Sequence, residues 1–312
     1  MQEKRNKRLA ILLVVLLGTT ASVYWFGKYE TGYEVDPAMF KQVDLNTVDE
    51  VVLESSSGKI DLKYEGARWK VNEKFNANSD RINVLFATLQ QAEAKRPVAL
   101  SLQDSLSAVL QETGVKVSLR TAGEVNEVFY AGGNGSKNQA YFLQENTTVP
   151  YIVTIPGYRV YVSGIFELAE SEWRDKYVFG FNWRNFQRLE TRFPTNPAND
   201  FVVEMDNGLP VLRGIQEVDT TKLNSLLDDI SLLMVDDFRP ANSSLDSLAK
   251  TGPIVSVLVL DIGGREYRLQ LYRGDDNSRD YFGIINGTQW ARFDTDKIAA
   301  IVRGRNFFRK PR

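Results

Sequence analysis

The sequence predicts an α+β protein, with a single N-terminal transmembrane helix followed by two tandem copies of an antiparallel-rich α+β unit. Three observations carry that expectation. Four cations precede an uncharged, largely apolar run near the N-terminus. A pattern of strands and amphipathic helices occurs twice at an offset of roughly 140 residues, the span of a duplicated domain. No stretch alternates strand, helix and parallel strand as doubly wound nucleotide folds do. At 312 residues the chain has room for two domains of ordinary size.

The first element is the anchor, residues 1–27. Lys4, Arg5, Lys7 and Arg8 lead into an uncharged run from Leu9 to Phe26. Leu9, Leu12, Leu13, Val14, Leu16 and Leu17 supply its apolar bulk, and eighteen helical residues span about 27 Å, close to the hydrocarbon thickness of a bilayer. Tyr24 and Trp25 stand where an aromatic belt meets the far headgroups, and the basic cluster keeps the N-terminus cytoplasmic, so the body is exported. Gly18 and Ala21 belong to a run of small residues that lets another helix approach and offers neighbouring hydroxyls for interhelical bonds. A cleavable signal peptide is the competing reading, with Thr19-Thr20-Ala21 as its cleavage site. The bulky Tyr24-Trp25-Phe26 cluster suits an interface anchor better than a mature N-terminus.

A linker over 28–43 then leads to a first repeat over 44–180 and a second over 181–312. In the first, 48–54 and the alternating 59–64 read as strands, and 68–72 follows a turn at Gly66. Asn78-Ser79-Asp80 caps a helix over 81–91 with Ile82, Leu85, Phe86 and Leu89 on one face. A short helix over 102–110 ends at Gly114, and strands follow at 115–119, 127–130 and 141–142. The second repeat matches with strands at 185–190, 201–205 and 209–213 and an Asp219-capped helix over 222–232. A short helix over 243–248 and strands at 254–259, 266–269 and 281–282 complete it. Each copy closes with a helix and a basic-aromatic tail, 173–179 against 305–309. The two helices are expected to be adjacent in sequence, with no strand between them.

Composition narrows the chemistry. The chain has no Cys and no His. That removes thiolate nucleophiles, disulfides, the usual general base near neutral pH and the commonest ligands for zinc, copper and iron. Catalytic, cofactor-binding and metal residues are therefore all expected to be absent, and the protein is read as non-catalytic; carboxylate-based hydrolysis is the residual enzymatic option. The net charge of −2 gives no basic field for nucleic acid, and the charged N-terminal residues before Leu9 carry +3, so the remainder stands at −5.

Several local motifs have ordinary explanations. Residues 131–136, Ala-Gly-Gly-Asn-Gly-Ser, lack the Gly-Lys-Ser/Thr ending of a phosphate loop and read as a flexible hairpin turn. The acidic stretch 274–280 lacks calcium-loop spacing and reads as a solvated turn. The adjacent pairs Asp228-Asp229 and Asp236-Asp237 point one side chain away from the other. Arg305, Phe307, Phe308 and Arg309 are docking candidates for an acidic partner or anionic headgroups, against a structural reading as cations at a helix end.

The residues Gly66-Ala67-Arg68-Trp69-Lys70-Val71-Asn72, then 76–80 and the amphipathic helix, then the short helix leading to Gly114-Val115-Lys116-Val117, resemble the uncharacterised bacterial domain-of-unknown-function family DUF4340. Its members carry one N-terminal membrane helix and a repeated Gly-x-x-Trp-x-(Val/Leu) strand followed by such a helix. The resemblance covers the anchor and the first copy, and more loosely the second, where Pro210 or Val211 replaces Trp69. It brings no catalytic residues. It implies an accessory role in the cell envelope, because such proteins are often encoded beside gliding-type ABC transporter subunits. The expectation is a non-catalytic, single-pass inner-membrane protein with a periplasmic body and protein partners among transporter or envelope complexes. The alternative is a periplasmic binding module for envelope polymer or lipid, with Trp69, Trp173, Trp183 and Trp290 lining a groove. The sequence sets no oligomeric state.

Overall fold

The computed structural model describes residues 2–27, 35–41, 44–274 and 280–310; in the N-terminal helix it describes the side chains of Asn6, Lys7 and residues 10–24. That helix, α1 (Gln2–Gly27), is continuous. Its side chains from Ile11 to Leu17 are each between 58% and 67% exposed. Among the described residues no helix is long and apolar enough to cross a membrane. The side chains of Lys4, Arg5, Arg8, Leu9 and Trp25, named above, lie outside the described residues.

The chain divides between Trp173 and Arg174 into two compact units. The first contains β1 (Glu50–Ser55), β2 (Gly58–Glu65), β3 (Arg68–Val71), β4 (Phe75–Asn76), α2 (Ser79–Gln91), β5 (Glu93–Pro97), α3 (Leu100–Thr113), β6 (Val115–Thr121), β7 (Glu124–Gly133), β8 (Ala140–Gln144), β9 (Tyr151–Thr154) and the one-turn α4 (Glu170–Trp173). The second contains β10 (Phe186–Arg192), β11 (Phe201–Asp206), β12 (Leu209–Leu212), α5 (Thr220–Ser231), β13 (Asp237–Arg239), α6 (Ser243–Lys250), β14 (Val255–Asp261), β15 (Glu266–Arg273), β16 (Asp280–Ile285), β17 (Gln289–Asp294) and the one-turn α7 (Thr295–Ile298).

Both units are antiparallel sheets with helices, so the fold is α+β. The orders are β4-β3-β2-β1-β6-β7-β8-β9-β5 and β12-β11-β10-β14-β15-β16-β17-β13. Apart from β4, the two orders coincide strand for strand. Every pairing is antiparallel. In both units a strand lies between the two helices in sequence, contrary to the helix–helix order expected above. β5 and β13 cross to the far edge and pair with the last strand, β9 or β17. Neither has the alternation that marks a strand: β5 buries only Ala94, and β13 is three residues long.

Each unit has its own core. Ile82, Leu85 and Leu89 of α2 are buried in the first, and Leu223, Leu226, Leu227 and Ile230 of α5 in the second. Burying such a side chain contributes about 1.5–3 kcal/mol. The helices begin alike: the side chain of Asn78 accepts from the Arg81 amide, and that of Asp219 from the Lys222 amide. Their caps are themselves held alike. The Asn78 N–H donates to the Trp173 carbonyl and the Asp219 N–H to the Phe308 carbonyl, both at 2.8 Å. Trp173 and Phe308 are both 0% exposed.

These contacts fix a repeat register that differs from the sequence reading. Trp173 corresponds to Phe308, so 170–173 matches 305–308, and the expected match of 173–179 to 305–309 is out of register. Residues 174–179 open the second unit instead. The Val235 N–H donates to the Lys176 carbonyl, as the Ala94 N–H donates to Pro37 in the first unit. Three residues further on, Phe40 and Phe179 are each 1% exposed. Phe40 meets Phe129, Phe142 and Tyr151 edge-on at 6.0, 5.3 and 6.1 Å. The described part of the expected linker, 35–41, is therefore core-forming chain, because a buried aromatic ring ties it down. The expected closing helices are single turns, α4 in the first unit and its counterpart, the 3-10 turn Arg305–Phe308, in the second.

Candidate functional site

A groove of about 410 Å³ opens in the first unit between α2 and the chain that follows β9. Val84, Ala87 and Thr88 form the helical wall, and Tyr158, Val160 and Tyr161 stand opposite. Val84 turns away from the buried face of α2, which leaves it 48% exposed; Tyr158 and Val160 are 66% and 53% exposed. Arg81 lies at one end of the groove. Tyr161 is fixed in place: its hydroxyl donates to Glu167 Oε1 at 2.5 Å, and Glu167 Oε2 pairs with Lys137 at 2.7 Å. Burial, reinforced by Glu167, raises the Tyr161 phenol well above its usual range, so it is a neutral donor.

Gly132 and Gly133 of the stretch 131–136 find their purpose here. Ala131, Gly132 and Gly133 belong to β7 and not to a turn, which corrects the hairpin-loop reading for those three positions. A Cβ on Gly133 would lie 2.3 Å from the Tyr161 ring and hydroxyl, and one on Gly132 would lie 2.7 Å from Leu110 of α3. The buried Ser163 hydroxyl donates to the Gly132 carbonyl at 2.6 Å. The pair is small because side chains press onto the strand.

The second unit has a smaller groove, about 210 Å³, between α5 and its own final segment, lined by Lys222, Ser225, Asp229, Arg303, Phe307 and Phe308 among others. Of the four docking candidates, Phe307 and Phe308 line it, and Arg305 and Arg309 do not. Phe308 is fully buried and is a core residue. Phe307 is 37% exposed, with Lys222 Nζ 4.8 Å and the Arg303 guanidinium 4.2 Å from its ring centroid. Arg305 Nη2 donates to the Gly214 carbonyl at 2.7 Å, and Arg309 is exposed, bridged through its backbone to Val218. Burial raises the Asp229 pKa and Asp228 adds to the rise, while Arg303 opposes it.

Other named positions are structural. Trp173 and Trp290 are 0% and 6% exposed in separate cores, so the four tryptophans do not line one groove. Trp69 packs between Tyr64 and Phe86, and the Trp183 indole donates to Asp228 at 2.8 Å. Asp236 is bound by Lys297 and Asp237 by Arg239. Residues 275–279 of the acidic stretch lie outside the described residues, and its last member Asp280 pairs with Arg292. In α1 the hydroxyls of Thr19, Thr20 and Ser22 donate to carbonyls within the helix, so their protons are not free for a neighbouring helix. Gly18 is open, with nothing within 4 Å of a Cβ built there. Among the described residues no three acidic side chains converge on a metal-sized point.

No curated protein and no solved structure matches the chain. The sequence does match the family described as "Domain of unknown function (DUF4340)" over residues 69–251, from β3 of the first unit through α6 of the second. That match covers more than half of the sequence, and the chain belongs to this family.

Proposed function

We propose that this chain is a non-catalytic accessory protein of the bacterial cell envelope. α1 tethers it to the inner membrane, and its two-unit body meets a protein partner outside the cytoplasm, with an ABC-type transporter or a related envelope complex as the assembly it serves. The observation that carries the reading is the unbroken exposure of Ile11 to Leu17, all around α1. A helix apolar on every side has no stable place in water unless lipid or protein covers it. The cations before Leu9 set its direction. Among the described residues the two grooves offer a partner apolar side chains and cations, with Asp229 in the second, and a polar pocket of about 450 Å³ lined by Glu190, Arg192 and Arg268 among others lies on the second unit's sheet.

A reporter active only outside the cytoplasm, fused after Arg312, is expected to be active, and the protein is expected to stay with membranes through alkaline carbonate. An inactive reporter or a mature N-terminus at Ser22 overturns the topology or the retained anchor, respectively. Purification in mild detergent is expected to bring down membrane-embedded transporter subunits. Replacing Gly18 and Ala21 with Leu should preserve insertion while weakening that association. Equal recovery of the partner would place recognition entirely in the body.

A further inference from the structure

The two grooves sit on equivalent helix positions. Counting from the caps Asn78 and Asp219, Arg81 matches Lys222, Val84 matches Ser225 and Thr88 matches Asp229, and all six line their grooves. In the second unit the groove holds a side chain of the protein itself. Lys222 Nζ lies over the Phe307 ring and also donates to the Phe307 carbonyl at 3.2 Å. In the first unit, counting back from Trp173 as from Phe308, the residue in the place of Phe307 is Glu172. Its carboxylate turns to the Ala169 amide at 3.4 Å. The first groove thus keeps the helix-borne cation, has roughly twice the volume and lacks the ring.

We propose that the groove between α2 and residues 155–168 receives an aromatic side chain from an extended segment of a partner polypeptide. The ring lies against Val84 and Val160 beneath the Arg81 guanidinium, and the neighbouring main-chain carbonyl accepts from that guanidinium, as the Phe307 carbonyl accepts from Lys222. The second unit supplies the precedent for the occupant. Arg stacks on an aromatic face at least as well as Lys, and a buried aromatic in a preformed pocket is the usual anchor of a polypeptide interface. Tyr161, held by Glu167 and seated on Gly133, keeps the wall from collapsing inward. The inference rests on the reading of the body as an interaction module, and it does not need the anchor.

The test uses the full-length protein in lipid nanodiscs and a random peptide library displayed on phage. Selected peptides are expected to share an aromatic residue. They should bind wild type at least tenfold more tightly than Val84→Asp or Val160→Lys. Arg81→Gln should weaken binding several-fold, and Arg81→Lys should retain most of it. Val84 and Val160 are exposed, so these variants should melt with wild type, and matched thermal midpoints establish that. Selection without aromatic enrichment, or equal binding by Val84→Asp, overturns the proposal. So does native mass spectrometry showing a lipid that wild type retains and Val84→Asp loses. None of these results alters α1, so the membrane reading stands or falls separately.

Discussion

Glu127 lies on β7 opposite Leu119, a core residue that is 0% exposed. The corresponding pair in the second unit is Val259 and Tyr267, whose hydroxyl donates to the Gly180 carbonyl. Burial pushes the Glu127 carboxyl from 4.5 up to about 7. The folded state therefore holds a proton that the unfolded chain has released once pH exceeds about 4.5. The favourable contribution of that proton is complete below 4.5, declines as pH rises towards 7 and is gone above it. Glu127→Gln should flatten stability across this window and raise it at pH 8 by on the order of 1 kcal/mol, allowing for partial exposure. Urea midpoints at pH 5 and pH 8 check this: an unchanged difference between the two pH values would mean that Glu127 titrates normally. Gly133 shows the same economy of position, since its missing side chain is the space Tyr161 occupies.

At the scale of elements, the two sheets differ at one edge. β3 is covered by β4, with the Ala77 N–H donating to the Trp69 carbonyl. β12 ends its sheet, and the residue in register with Trp69 is Pro210, each facing the preceding strand at Tyr64 or Met205. By that register Pro210 presents its nitrogen to the outer edge, where a missing N–H costs the ladder nothing and denies a donor to an incoming strand. Pro210→Val should leave the fold intact while increasing self-association, read as a higher weight-average mass by sedimentation at equal concentration. An unchanged mass would mean that the edge is protected by other means. What was legible in the sequence follows the same physics. α2 and α5 were readable because a capping side chain precedes a helical stripe of apolar residues. β5 and β13 were not, because their pairing is made with a distant strand and their own residues carry little alternation. The first unit's groove stayed hidden since its far wall, residues 155–168, has no periodic pattern. The one local hint was Val84, an apolar residue off the buried stripe of α2.

At the scale of the whole molecule, the repeat is defined by where each unit's chain begins to bury side chains. In the second unit that happens before the boundary read from sequence at Gly180. Val178 and Phe179 are 3% and 1% exposed within its core, and the Val178 N–H donates to the Leu233 carbonyl at 3.0 Å. A fragment beginning at Arg174 keeps this segment, and one beginning at Phe181 loses it. Removing one buried Phe alone typically costs about 3–5 kcal/mol, and here a Val and main-chain hydrogen bonds go with it. The fragment 174–312 should therefore unfold cooperatively in urea, whereas 181–312 should be less stable by at least ~3 kcal/mol or fail to fold. Phe179→Ala in the longer fragment separates the causes, because it removes the ring and keeps the backbone pairing. Its stability should fall between the two. Equal stability of the two fragments would return the boundary to Gly180 and leave Phe179 as an ornament of the first unit's tail.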